Sequence, residues 1–516
     1  MKAPALHSLL FIAVGLAPLG CASEPDLPPE ALFVAHDQVP PPAAPQPGDP
    51  HRPNVLVVVI ESLDAQTVED LRSDPDPAPN LARLMREGVS FDNAFTTGSW
   101  TMPGLAALLT GRYPRLDTRG SGAGMLSTQA GANTLPEVMG VYGYTTVGIW
   151  GSTLACGVGS DLPFHHTSPL HCGPSATPFD QALRVWVEHY AREPFFALVH
   201  NIDLHTPEPS APEGYLHRYT DDHPACPDAG TGFLYRDLEA EMGSTAAADH
   251  VVGHYRGQLA FYDRALGRML DALDDAGALD DTVVVVTTNH GQDLFEHSCF
   301  DHGTLYDAVL HIPLVWWERD LEHRVVSEVV QNTDIMPSIF ERAGVPYTGL
   351  DGRSLLPLMG LAAGSYEPRP VFSLSKGENA SMRTPEQKLI LSQGLRVGRC
   401  DAVRSPAPPS GRIPHYELYD LVADPGETVD LYPQQADTVS SMVAQLGAWL
   451  SQRRPSPGEH VPQVGERERR ALQERGYWDL AGPSSDLPPP PRHGPPEGQR
   501  AHPPKGARPP ESKRDD

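Results

Sequence analysis

The chain has 516 residues, enough to bury a large core as one α/β domain with a smaller partner. Its 39 Lys and Arg face 66 Asp and Glu, a formal charge of -27, which argues against nucleic acid or an anionic membrane face as a partner. Residues 481–516 hold six Lys/Arg against five Asp/Glu, so the acidic excess sits in the body of the chain, and a local cation such as a metal ion must attract any anionic substrate.

In chain order, the first residues read as an export signal. Lys2 supplies the positive end, 9–19 a short apolar stretch, and Leu19-Gly20-Cys21 resembles a lipoprotein cleavage site. Pro18 departs from the usual lipobox, so plain secretion stays open beside lipidation. The stretch is too short to span a bilayer; the expectation is an exported chain with no transmembrane helix when mature and a lipid anchor at Cys21. That places it in the periplasm, at the outer membrane or outside the cell. Residues 22–51 read as a Pro-rich tether, and 481–516, with eleven prolines, as a disordered tail. Cys156, Cys172, Cys226, Cys299 and Cys400 suit an oxidising compartment, with two disulfides and one thiol. Their connectivity stays open; Cys156 with Cys172 closes the shortest loop. None has the paired short spacing of a zinc site.

The ordered body, 52–480, begins with Asn54–Ile60 (NVLVVVI), an apolar run typical of a strand buried on both faces. A helix is expected over 79–87, stopped by Gly88. Gly98-Ser-Trp-Thr-Met-Pro-Gly-Leu105 then leads into another helix, with Ser99 or Thr101 as N-cap and Pro103 in the first turn. Leu105, Ala106, Leu108 and Leu109 form its apolar stripe, and Gly111 ends it. Further strands are expected at 145–149, 195–199, 283–287 and 312–317, and helices at 179–192 and 257–275. The alternation predicts an α/β fold with a mostly parallel sheet covered by helices on both faces.

Sites in such sheets gather at the carboxyl ends of strands. Glu61 and Ser62 follow the first strand, 200–205 the third, and Asn289-His290-Gly291 the fourth. Thr101 lies at a helix N-terminus, where free N–H groups and the helix dipole favour an anion. By itself it reads as a cap; as a nucleophile it needs a metal or a base.

Five segments carry a family resemblance: RPNVLVVVIESLDAQ, PNLARLMREGVSFDNAFTTGSWTMPGLAALLTGRYP, FFALVHNIDLHTP, the run from YRGQLAFYD to NHGQDLFEH, and HGTLYDAVLHIPLVWW. In this order they resemble the sulfatase family of the alkaline phosphatase superfamily. DGRSLLPLM and YELYDLVADPGETVDLY resemble the approach to, and the end of, its small C-terminal subdomain. The resemblance implies an alkaline phosphatase-like catalytic domain over 52–365, with a large, mostly parallel sheet between helices, and an α+β subdomain over 366–480. It implies one divalent cation held by Glu61, beside Ser62, with Thr101, Asn289 and His290. His205 and His302 would hold substrate oxygens or protonate a leaving group.

Two departures matter. The nucleophile position is Thr101 and the motif's Arg position is Leu105, so no formylglycine is expected; Cys172-Gly-Pro-Ser-Ala176 lacks the Arg and does not head the helix after the first strand. A Thr with a strand-end Glu is similar to the lipoteichoic-acid synthase and phosphoethanolamine transferase branches, which attack phosphorus. Asn289 replaces a carboxylate, and the remaining donors suit manganese or zinc better than calcium. The resemblance therefore implies a metal-dependent hydrolase of small anionic sulfate or phosphate esters in the cell envelope, with Thr101 as metal-bound nucleophile. Two alternatives stay open. Asn289 and Leu105 favour a catalytically degenerate anion-binding protein, and the Thr-bearing branches include phospho-group transferases.

Overall fold

A computed structural model describes residues 33–36, 52–117, 125–127, 133–151, 162–168, 176–192, 194–202, 204–205, 211–220, 244–297, 300–375, 379–392, 415–432 and 434–453. The export signal with Cys21, the other five cysteines, nearly all of the tether and the whole tail lie outside the described residues.

The strands of the main sheet are β1 (Val34–Ala35), β2 (Asn54–Ile60), β3 (Val89–Phe91), β4 (Thr145–Trp150), β5 (His166–Thr167), β6 (Phe195–Asn201), β7 (Thr282–Thr287), β8 (Leu314–Trp317) and β9 (Arg324–Val326). Their order across the sheet is β1-β5-β4-β6-β2-β7-β8-β3-β9. From β5 through β7 all pairings are parallel, whereas β8 runs antiparallel to both neighbours. The sheet is thus mostly parallel, as expected for crossover-connected strands.

Side chains alternate between two cores. Leu56, Val58 and Ile60 of β2 pack on one face with Trp186, Tyr262, Leu266 and Met269, carried by α3 (Ala176–His189) and α4 (Ser244–Asp275). Val55, Val57 and Val59 pack on the other face with Leu105, Leu108 and Leu109 of α2 (Thr101–Thr110). Both faces are covered, which is why these strands read as continuous apolar runs.

Three expectations need correction. The helix expected over 257–275 begins earlier, at Ser244, because the apolar residues Ala247 and Val251 extend the buried stripe upstream. The strand expected from 312 begins at Leu314, because the Ile312 N–H is donated to Ala94 rather than to the main sheet. The cap of α2 is neither Ser99 nor Thr101: Trp100 occupies the N-cap without a side-chain capping bond, and Thr101 is the first helical residue. The Ser99 hydroxyl is drawn off to the Gly303 carbonyl, 3.0 Å away. Gly88 does follow α1 (Pro79–Glu87), in extended backbone. A Cβ there would meet the Trp316 carbonyl at 2.5 Å, so the position is small to admit β8.

A second, four-stranded antiparallel sheet contains Val371–Leu374, Ala380–Arg383, Gln387–Ser392 and His415–Asp420, backed by the helix Ala436–Arg453. Its first strand touches the segment ahead of α2. The Leu374 N–H is donated to Thr97 O at 2.8 Å, and the Ser99 N–H to Leu374 O at 3.2 Å.

Candidate active site

The parallel register lines up the carboxyl ends of β6, β2 and β7. Val59 pairs with His200 on one side and Thr287 on the other. Glu61 continues the alternation of Val55, Val57 and Val59 and therefore faces α2. His200 has the parity of Phe196 and Leu198, which pack in that same core. Two sequence-distant side chains are thus aimed at the head of the helix that carries Thr101.

There the Thr101 hydroxyl donates a short hydrogen bond to Glu61 Oε1. Both residues are essentially fully buried. Nε2 of His200 stands 3.3 Å from Glu61 Oε2, and Nε2 of His290 stands 3.8 Å from Oε1. Burial opposes the charge of Glu61, but His290, His200 and His205 outweigh it and hold the carboxyl well below its usual range. Burial pushes His200 down despite the facing Glu61.

Ser62, next in the chain, takes a left-handed conformation at φ 63°, strained for a residue with a Cβ. The Tyr255 hydroxyl locks it by donating to Ser62 O at 2.7 Å and accepting the Asp64 N–H at 2.8 Å. Gly104 lets α2 approach the other loop, since a Cβ there would lie 2.1 Å from Asn289 O. The Thr96 hydroxyl also donates to Asn289 O, at 2.7 Å.

His290 is oriented by its neighbour: Nδ1 lies 2.8 Å from Gly291 O. A proton on Nδ1 satisfies that contact and leaves the Nε2 lone pair directed at the site. Asn289 behaves differently. Its Oδ1 accepts from the His290 N–H at 3.0 Å, the neighbouring Thr288 hydroxyl donates to His290 O at 2.7 Å, and Nδ2 has no partner. His302 stacks on His290 with centroids 4.4 Å apart, and His205 meets His302 edge-on at 5.0 Å. Both outer rings are half-buried, unlike the fully buried pair beneath them. Leu105 packs in the core beside the β2 valines.

All six residues singled out from the sequence, Glu61, Thr101, His205, Asn289, His290 and His302, therefore collect at one rim. Sequence reasoning missed two side chains. His200 was placed beyond the strand but lies within it; a His ending an otherwise apolar run was the available signal. Gln292, two residues beyond His290, is fully buried with neither amide atom partnered, and no sequence pattern signalled it.

Among the described residues no group of three or more His, Cys, Asp or Glu forms a ready-made metal cage. The donor chemistry nevertheless fits a divalent ion: Glu61 Oε2 and His290 Nε2 are buried without hydrogen-bond partners, and a carboxylate and an imidazole are both ligands that such an ion takes.

The sulfatase family model matches residues 53–345. The chain is similar to arylsulfatase K of Danio rerio, 29% identical over 191 residues, 36% of this chain and 35% of that protein. It thus spans about a third of that relative's length. It is also similar to arylsulfatase A of Homo sapiens, 24% identical over 444 residues, covering 73% of this chain and 83% of that protein. Among solved structures, one in complex with D-glucosamine-2-N,6-O-disulfate aligns at TM-score 0.57 and 18% identity, over 78% of this chain and 98% of its own. The phosphonate monoester hydrolase of Agrobacterium radiobacter aligns at 0.56 and 19%, over 78% and 95%.

Proposed function

The chain belongs to the sulfatase family, and from that premise we propose that it is a metal-dependent hydrolase of sulfate or phosphate esters, exported to the cell envelope, with Thr101 as nucleophile. One observation carries this reading: a buried Thr hydroxyl at a helix head donates to a buried carboxylate, Glu61 Oε1. That is a nucleophile with its base.

In the proposed first step, Thr101 Oγ1 attacks sulfur or phosphorus as its proton passes to Glu61. The ester oxygen leaves as an alcohol, taking a proton from His302 or His205, the half-buried imidazoles at the mouth. Water then attacks the threonyl ester, giving its proton to the imidazole that protonated the leaving alcohol, and sulfate or phosphate is released as Glu61 returns the proton to Thr101. The free N–H groups of α2 favour the negative charge on the transferred group. Glu61, Thr101, His290 and Asn289 are the residues that would hold the metal, whose contribution is to shield the ester's charge and ease ionisation of the hydroxyl.

A Thr nucleophile must be freed by hydrolysis at sulfur or phosphorus, which extends the substrates to phosphoesters. The relatives and structural neighbours include sulfatases and phosphonate monoester hydrolases alike. The purified chain is expected to turn over an aryl sulfate, an aryl phosphate or a phosphodiester with manganese, zinc or calcium, and Thr101→Ala to abolish turnover. No turnover with any pair, together with no metal by elemental analysis, rejects the reading in favour of a degenerate anion-binding protein.

A further inference from the structure

The Gly303 carbonyl, one residue past His302, accepts two hydroxyls from different parts of the fold. Ser99 Oγ, two residues ahead of Thr101, donates to it at 3.0 Å, and Ser375 Oγ, just past the first strand of the small sheet, donates at 2.6 Å. A carbonyl oxygen has two lone pairs, and these hydroxyls fill both. Both serines are buried, and each is fixed through its own backbone. The Ser99 N–H is donated to Leu374 O, and the Ser375 N–H to Asn379 O at 2.9 Å. Gly303 itself has φ 104°, a conformation that glycine takes without strain. The far end of the same loop is tied to the small sheet as well. Asp307 meets Arg383 at 3.0 Å and the fully buried Lys388 at 2.7 Å, and the Tyr306 hydroxyl donates to Glu417 at 2.9 Å.

Building on the proposed hydrolytic function, we propose that Ser99 and Ser375 are positioning residues that, through Gly303, set where the His302 imidazole stands as acid for the leaving alcohol. The small C-terminal sheet thereby shapes the proposed reaction. Stacking on His290, with 6° between the planes, fixes the plane of the His302 ring, but a stacked ring still slides within that plane. The placement of its Cα decides which edge faces the ester, and that Cα is one residue from the doubly held carbonyl. Ser99 also ties the carbonyl to the segment heading α2, so one hydrogen bond sets the spacing between acid and nucleophile. Proton transfer needs the donor within hydrogen-bond reach of the leaving oxygen, and small misplacements cost rate steeply.

An acid matters most where the alcohol leaves poorly. The test therefore compares phenyl with 4-nitrophenyl sulfate, and the same pair of phosphates, by kcat/KM, which reports the steps up to alcohol release. Ser375→Ala is expected to lower the phenyl-to-4-nitrophenyl ratio by about tenfold or more, and Ser375→Thr, which keeps the hydroxyl, to restore it. Ser99→Ala removes the other donor from a different element and should lower the ratio in the same way. A merely structural loss slows both esters alike, and an unchanged ratio in the folded variants overturns the inference. A second measurement is independent of turnover: labelling of His302 by diethyl pyrocarbonate, mapped by mass spectrometry with the exposed His415 as internal reference. The His302 rate should rise severalfold in Ser375→Ala relative to His415, and an unchanged rate overturns the inference. If the wild type turns over no ester while His302 labelling still responds to Ser375→Ala, the positioning stands and the proposed activity falls.

Discussion

Glu61 carries two demands at once: it accepts the Thr101 hydrogen bond and keeps company with three imidazoles. An amide of the same shape would meet neither. Glu61→Gln is expected to lower kcat by about a hundredfold or more while leaving the far-UV circular dichroism unchanged; near-wild-type kcat would mean that Thr101 loses its proton elsewhere. Thr101→Ser keeps the hydroxyl and should retain measurable turnover where Thr101→Ala shows none. Of these residues the sequence made Glu61, Thr101 and the Asn289-His290 pair legible, because each directly follows an apolar run or heads a helix. The segment that His200 opens was placed at the rim, but His200 itself was given no role. It sits inside the run, where a His reads as one more core side chain, and only the β2–β6 register shows that it meets Glu61.

Elements position these side chains through close backbone approaches. Gly104→Ala would drive a Cβ into the Asn289 carbonyl, and overpacking of this kind costs about 1–3 kcal/mol. Chemical denaturation should show that loss together with reduced kcat, since the collision separates Thr101 from His290; a loss of stability with full activity would show that the two loops need not touch. The α1 helix depends on a distant partner. Ala78 gives it no side-chain cap, and Asp263 from α4 accepts the N–H groups of Asn80 and Leu81 at 2.9 and 2.8 Å. Asp263→Ala is expected to cost about 2 kcal/mol, as for a lost buried cap, measured as a lower urea midpoint at unchanged m. The periodicity of 79–87 located this helix well but could not name its cap, which lies on an element far along the chain. The Ser99 cap failed for the related reason that Gly303 competes for the hydroxyl.

At the scale of the whole molecule, buried titratable groups tie stability to pH in opposing directions. Burial, with His250 and His217 close by, pushes His254 down to about 4, and burial with His165 and His36 does the same to His166. The unfolded chain protonates these imidazoles first, so their stabilising contribution is full above about 6.5 and is lost as pH falls toward 4. Glu296 and Glu427, raised to about 7 chiefly by burial, act oppositely, because the folded state takes up their protons first. The measurable quantity is thus the Tm difference between wild type and His254→Gln. It should shift in favour of the variant between pH 6.5 and 4, and a pH-independent offset would reject the assignment. The sequence by itself determined the α/β class, the strand runs and the family, because burial on both faces writes continuous apolar runs, and it placed the proposed nucleophile at the head of a helix after the first of them. Only the tertiary structure decided which imidazoles face the carboxylate and where Asn289 spends its oxygen. Those contacts depend on strand register and on competing donors from distant segments, and no local pattern encodes either.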